Sequence, residues 1–152
     1  MRRIGFAVIL LVSLSAPAWA GFQDGLAAYE RGDYATALRE WKPLAEAGIP
    51  EAQFNLGFMY DSGEGVPQDY AEAVRFYRLA AEQGYASAQL NLGFMYDNGR
   101  GVPQDYVQAH MWSNLAASRF APGSDRDIAV KNRDIVAAKM TPAQIAEAQR
   151  LA

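Results

Sequence analysis

The stretch AEAGIPEAQFNLGFMYDSGEGVPQDYAEAVRFYRLA, residues 45–80, is followed at once by AEQGYASAQLNLGFMYDNGRGVPQDYVQAHMWSNLA, residues 81–116. Aligned without a gap, the two segments are identical at 22 of 36 positions. A period of this length is typical of stacked helical hairpins, each of which buries its apolar face against its neighbours. The repeat therefore predicts an all-α solenoid and makes a binding surface the leading functional hypothesis.

Each repeat combines helical spacing with clear turn signals. Ala52 and Leu56 fall on one face of a helix, and the helical pattern ends at the loop SGEGVP, residues 62–67. Two glycines and a proline within this short loop are expected to end the helix. Asp69 then provides an N-cap, with an acid at Glu72 three residues later. Each unit is thus predicted to be a first helix (helix A), a loop and a second helix (helix B).

A glycine lies inside helix A of both units, at Gly57 and Gly93. Glycine in a helix interior costs about 1 kcal/mol relative to alanine. A cost repeated at the same position suggests a packing requirement. We therefore expect these glycines to allow a close approach of helix B at Ala73 and Ala109.

A weaker unit precedes the two clear repeats. Residues 33–38, DYATAL, align with residues 69–74 after a shift of 36. Residues 22–31 are predicted to form the helix A of this unit. Pro43 falls inside its helix B, where it is expected to kink the helix or loosen its last turns.

The C-terminal part does not repeat and is predicted to cap the array. Residues 124–139 have a helical pattern, with Ile128, Ile135 and Val136 assigned to the inner face. The sequence TPAQ, residues 141–144, combines an N-cap, a proline at the first helical position and a capping-box glutamine. Terminal units of an array need a polar outer face, which this pair of helices is expected to provide.

The N-terminus has the features of a secretory signal peptide. Arg2 and Arg3 precede an apolar run over residues 4–14, and Ala18 and Ala20 frame a small-x-small cleavage site. Cleavage is expected after Ala20, which divides the chain into a signal peptide (1–20), a repeat array (21–119) and capping helices (120–152). We expect the mature protein in the periplasm, with secretion as an alternative. An uncleaved membrane anchor is the competing interpretation, although the apolar run is short for a span.

The repeated motif AQxNLGFMYDxGxGVPQDYxxA resembles the Sel1-like repeat, a relative of the tetratricopeptide repeat with a longer loop between its helices. The resemblance extends over most of residues 21–116, strongly in two units and weakly in the first. The ending over residues 133–152 is similar to the tail that often closes short secreted members. The resemblance implies an α-solenoid that binds proteins or scaffolds complexes, usually without catalysis.

Composition limits the chemistry of the protein. The chain has no cysteine and one histidine, His110, so cysteine-ligated metal, disulfides and a histidine-rich zinc site are excluded. Calcium is disfavoured in the loops: Asp61 and Glu72 have suitable spacing, but the intervening ligand positions are poor and Gln108 replaces the acid in the second repeat. No metal and no cofactor are therefore expected.

Charge is distributed unevenly along the chain. Residues 21–118 carry 6 Lys/Arg against 13 Asp/Glu, a net of −7. Residues 119–152 carry 6 against 4, a net of +2. An acidic array repels phosphate backbones, so nucleic acid is not expected as a partner.

The candidate partner-binding residues are Asn55, Phe58, Asn91 and Phe94 on the helices A. The resemblance to tetratricopeptide domains implies that the helices A line a concave face, where asparagines at these positions hold a ligand backbone or terminal carboxylate. Neither helix A carries the Lys or Arg that completes a carboxylate clamp. The alternatives are asparagines that bond within their own helix pair, and phenylalanines that are covered by neighbouring repeats or by the C-terminal helices.

The leading hypothesis is an exported, non-catalytic scaffold that binds a protein or peptide on its concave face. The alternative is a cell-envelope enzyme, or enzyme subunit, that acts on cell-wall material. An enzyme would require ionisable side chains with shifted pKa values that converge in one cleft. A third hypothesis is a secreted factor that binds a host protein.

Overall fold

The computed structural model describes residues 16–152. Most of the predicted signal peptide (1–20) therefore lies outside the described residues. Within the described part the protein consists of helices and has no strand. The helices are α1 (Ala16–Glu30), α2 (Tyr34–Glu46), α3 (Pro50–Ser62), α4 (Tyr70–Glu82), α5 (Ala86–Asn98), α6 (Tyr106–Arg119), α7 (Ser124–Ala137) and α8 (Pro142–Leu151).

Helices that are adjacent in sequence pack against each other along the array. α1 pairs with α2, α3 with α4 and α5 with α6, while α2 also contacts α3 and α4 also contacts α5. At the end of the array, α7 and α8 both pack on α6. This arrangement confirms the all-α solenoid of helical hairpins with a helical cap.

Each helix B begins at an aspartate, as predicted for the repeats. The side chains of Asp33, Asp69 and Asp105 accept hydrogen bonds from backbone N–H groups in the first turns of α2, α4 and α6. These carboxylates satisfy N–H groups that have no partner within the helix. The predicted capping box at Thr141 and Gln144 is present at the start of α8.

The ends of α3 and α5 explain the first glycine of each loop. Gly63 and Gly99 adopt left-handed conformations with φ of 75° and 62°, and their N–H groups donate to the carbonyls of Met59 and Met95. An L-residue with a side chain rarely adopts this conformation, whereas glycine does so freely. The loops therefore end helix A where the sequence indicates.

The interior glycines do allow close helix packing, and the predicted approach at Ala109 is present, although other residues of helix B lie nearer. A Cβ atom on Gly57 would lie 2.7 Å from the Tyr77 ring, which is its nearest neighbour. A Cβ atom on Gly93 would lie 2.6 Å from Ser113 Oγ and 3.3 Å from the Ala109 carbonyl. Tyr77 and Ser113 occupy equivalent positions, one turn beyond Ala73 and Ala109 along helix B. Side chains of packed helices interlock, so each glycine faces a side chain from that next turn.

Two boundaries in the first unit differ from the sequence prediction. α1 includes residues 16–21, upstream of the predicted start at Phe22, so it extends through the predicted cleavage site. α2 continues three residues beyond Pro43 to Glu46. The buried side chains of Trp41 and Ala45 lie on either side of the exposed proline and anchor this last turn on the core.

The inner face of α7 was predicted wrongly in part. Val136 is buried, but Ile128 and Ile135 are 47% and 46% exposed. The buried residues of α7 are Ala129, Asn132 and Val136. Small and polar side chains of α7 face α6: Ala129 permits close packing, and the Asn132 amide donates to Ser113 Oγ at 2.7 Å. A prediction from hydrophobicity alone therefore assigned the wrong residues to the buried face.

Candidate functional site

A groove lies between the first helices of the two clear repeats, α3 and α5. Its volume is about 410 Å³. Phe58 and Phe94 line it at equivalent positions and are 41% and 37% exposed, which is unusual for rings of this size. The groove is lined by Phe58, Asp61, Asn91, Phe94, Met95, Asn98 and Arg100.

Three of the four predicted partner-binding residues line this groove. Phe58, Asn91 and Phe94 belong to it, whereas Asn55 is half-buried on α3 outside its lining. The Phe58 ring also contacts the Tyr29 ring of α1 edge-on, with 6.5 Å between their centroids. Neighbouring helices thus cover part of Phe58 and leave the rest exposed, and a binding role for these residues remains a prediction.

Asn91 reaches across to the preceding repeat. Its side chain lies beside the Tyr77 hydroxyl on α4. Burial raises the pKa of Tyr77 well above its ordinary value, the charge of Asp61 raises it further, and Asn91 acts in the opposite direction. The Tyr77 hydroxyl therefore stays protonated and donates toward Asp61 Oδ2, 3.5 Å away.

Asp61 is the acidic residue of the groove. Its Oδ1 atom is buried and accepts no hydrogen bond from the described residues. The nearest cationic atom is an Arg100 guanidinium nitrogen at 3.8 Å, beyond hydrogen-bond distance. The Arg100 guanidinium instead lies over the Tyr70 ring, 4.9 Å from its centroid.

Asp97, the equivalent residue of the second repeat, is paired with a cation at hydrogen-bond distance. Lys139, just after α7, donates to Asp97 Oδ1 at 2.8 Å. Its ammonium group also lies 5.3 Å from the centroid of the Tyr106 ring. Tyr106 is the repeat equivalent of Tyr70, so each aspartate has a cation above the same tyrosine position, but only the second pair is in hydrogen-bond contact.

The second glycine of each loop positions these groups. A Cβ atom on Gly101 would lie 2.2 Å from the Tyr70 carbonyl, and one on Gly65 would lie 2.7 Å from Tyr34 Cβ. Such distances exclude a side chain, so each loop packs directly on the start of the preceding helix B. The residue between the two glycines then reaches the preceding tyrosine: Arg100 lies over Tyr70.

The Asp61–Arg100 pair and Lys139 were not among the predicted site residues. Both repeats have an aspartate at the same position of helix A, Asp61 and Asp97. Because a charged residue that recurs at one position is expected to have a partner, this recurrence could have indicated the pair. Lys139 could not have been found from the repeat pattern, because it lies in the non-repeating cap. Its place beside Asp97 depends on how α7 packs on α6.

The single histidine lies apart from the groove and is packed on α6. His110 is buried, and its pKa is lowered by burial and by the charge of Arg133, with Asp134 opposing the shift. Within residues 16–152, no group of three or more His, Asp or Glu side chains is arranged to hold a metal ion. No helix in the same range has the length and apolar character needed to cross a membrane.

Comparisons with known proteins agree with this geometry. The Sel1 repeat family model matches residues 50–85 and 86–119, so each match begins at the start of a helix A. The period of 36 is the one seen in the sequence. No curated protein matches the chain significantly.

Two solved structures are similar to this chain. A protective antigen of uropathogenic Escherichia coli strains that displays an SLR fold is 34% identical with a TM-score of 0.80, over 88% of this chain and 28% of that one. A Sel1 repeat protein from Oxalobacter formigenes is 34% identical with a TM-score of 0.61, over 65% of this chain and 39% of that one. The chain thus spans well under half the length of either.

The repeat matches and the structural similarity agree on one family. Proteins with Sel1 repeats commonly act as protein-interaction scaffolds, generally without catalysis. The two hairpins α3–α4 and α5–α6 are Sel1 repeats within an all-α solenoid fold.

Proposed function

We propose that this protein is an exported, non-catalytic scaffold that binds a protein or peptide partner in the groove between α3 and α5. The observation that carries the proposal is the pair of exposed rings, Phe58 and Phe94, at equivalent positions of adjacent repeats. Exposed apolar rings beside polar groups are typical of interaction sites rather than of ordinary protein surface.

The composition of the groove supports peptide binding. The two rings offer apolar area, and the amide of Asn91 offers a donor and an acceptor to a ligand backbone. Asp61 adds a charge that would orient a partner. This combination suits an extended segment that lies across two repeats.

The proposal is tested by affinity capture from envelope extract with two variants. Phe58→Ser combined with Phe94→Ser should abolish capture, because the apolar contacts of the groove are lost. Ile128→Ser combined with Ile135→Ser is the matched control, since those residues are similarly exposed but lie on α7. Capture that survives the groove changes, or that is lost equally in the control, would refute the groove as the binding site.

The asparagines provide a finer test. Asn91→Ala removes a groove residue and should weaken binding by about 0.5–1.5 kcal/mol, the net contribution of one hydrogen bond. Asn55→Ala, outside the lining, should change binding less. Equal losses in binding affinity would place the binding segment across α1 and α3 as well.

The proposed export is supported by the position along α1 at which its residues begin to contact α2. The side chains of Trp19 and Ala20 are exposed, whereas the Phe22 carbonyl accepts a hydrogen bond from Trp41 Nε1 at 3.2 Å. Cleavage after Ala20 would therefore shorten α1 and remove the stacking of Trp19 on Phe22, but it would leave the contact of Phe22 with Trp41 of α2 in place. N-terminal sequencing of the protein in periplasmic and culture fractions should give Gly21, and Ala20→Arg should block processing; full-length chain in membranes would contradict export as a mature protein.

A further inference from the structure

The two repeat-equivalent aspartates differ in how their carboxylates are satisfied. Asp97 accepts a hydrogen bond from the Lys139 ammonium group at 2.8 Å. Asp61 Oδ1 is buried, has no donor among the described residues, and lies 3.8 Å from Arg100. A buried carboxylate oxygen without a donor is unfavourable, and a correctly placed cation would relieve that cost.

Lys139 indicates which group fits this position. Its ammonium group contacts the carboxylate and also lies near the face of the Tyr106 ring. The C-terminal cap thus inserts a lysine at the end of the second helix A. The corresponding position at Asp61 opens onto the groove instead, next to Phe58 and Phe94.

We infer that the groove binds a partner segment that inserts a lysine or arginine side chain onto Asp61, in the way that Lys139 occupies Asp97. This inference rests on the proposed function and specifies the chemistry of the partner. The apolar stem of the inserted side chain would lie against Phe58 and Phe94, and its charged end would hydrogen-bond Asp61 Oδ1.

Arg100 is the group that the partner displaces. It is held by the Tyr70 ring and by a long contact to Asp61, and its side chain is half exposed. A weakly held cation of this kind exchanges readily for one that makes a direct hydrogen bond. The net charge of −7 over residues 21–118 favours the approach of a basic segment.

The inference is tested with random peptides displayed on phage and selected on the purified protein. Selected peptides should contain a basic residue flanked by apolar residues. Synthetic copies of these peptides, with each Lys or Arg changed to Gln, should bind about tenfold more weakly, as expected for the loss of a charge-assisted hydrogen bond.

Three protein variants localise the effect. Asp61→Asn should weaken the basic peptides about tenfold and leave their Gln versions unchanged. Asp24→Asn, the same chemical change at an exposed residue of α1, should leave both unchanged. Arg100→Gln should strengthen binding, because it removes the competing cation. Thermal melts of the three variants check that each remains folded.

The outcomes separate this inference from the proposed function. Peptides that require Phe58 and Phe94 but show no preference for basic residues, or that bind Asp61→Asn at full strength, overturn the inference and leave the groove in place. Acidic peptides that lose affinity in Arg100→Gln also overturn it. A selection that yields no peptide dependent on Phe58 and Phe94 counts against both.

Discussion

The two Sel1 repeats have helices of nearly the same length at equivalent positions, but their helices B present different side chains. Where the first repeat has Tyr77 above Gly57, the second has Ser113 above Gly93. The first repeat is followed by another repeat, and the second by the cap helix α7. The small Ser113 side chain leaves room for Asn132 of α7, which donates to it at 2.7 Å.

The differences between the two repeats follow from the elements that each repeat packs against. Both loops have the same two glycines, since both loops pack on the preceding tyrosine. The helix B residues change, since one helix faces a repeat and the other faces the cap. Variants at equivalent positions are therefore expected to differ in effect.

The largest effect is expected at Gly57. Gly57→Leu places a side chain where even a Cβ atom would lie 2.7 Å from the Tyr77 ring, and should lower the free energy of unfolding by about 3 kcal/mol or more. Combining it with Tyr77→Ser, which copies the second repeat, should recover part of the loss. Urea denaturation measures both; additive effects of the two changes would show that the ring is not the obstacle.

A smaller loss is expected at the cap. Asn132→Ala leaves the buried Ser113 hydroxyl without its partner and should lower the free energy of unfolding by about 1–3 kcal/mol. Adding Ser113→Ala should cost little more, because the unpartnered hydroxyl is then gone. If the double variant in chemical denaturation loses the sum of two large single effects, the hydrogen bond does not couple α6 to α7.

The two cations should contribute unequally to stability. Lys139→Ala leaves the buried Asp97 carboxylate unpaired and should lower the free energy of unfolding by about 1 kcal/mol, given that Lys139 is itself partly exposed. Arg100→Ala, at the long pair with Asp61, should cost less than about 0.5 kcal/mol. Equal losses in thermal and urea melts would contradict the difference between the two aspartates.

The smallest effect is expected from His110, whose repeat equivalent is the buried Val74. Burial lowers the pKa of His110 below its ordinary value of 6.5 in the folded state. The unfolded chain therefore binds the proton first, so stability is full above about pH 6.5 and falls as the pH decreases through the folded-state pKa. His110→Val should remove this part of the decline; parallel pH profiles of unfolding free energy for the two proteins would show that His110 does not contribute.

Much of the fold could be predicted because the same pattern of helices and turns occurs twice in the sequence. Helix ends at Gly63 and Gly99, N-caps at Asp69 and Asp105 and the capping box at Thr141 depend on local backbone hydrogen bonds, which the neighbouring residues determine. Phe58, Asn91 and Phe94 could be assigned to one face because helical spacing decides which residues share it. Asn55 shares that spacing but lies outside the groove lining.

The tertiary structure determines which side chains of different helices contact each other. The exposure of Ile128 and Ile135, the contact of Gly57 with Tyr77, and the pairing of Lys139 with Asp97 each depend on the distance and angle between helices that are separate in sequence. Periodicity determines which side of a helix is apolar, but the size of the facing side chain decides how closely two helices approach. For that reason the sequence by itself determined the hairpins and their order, and only their packing decided that one aspartate is paired while its equivalent faces an open groove.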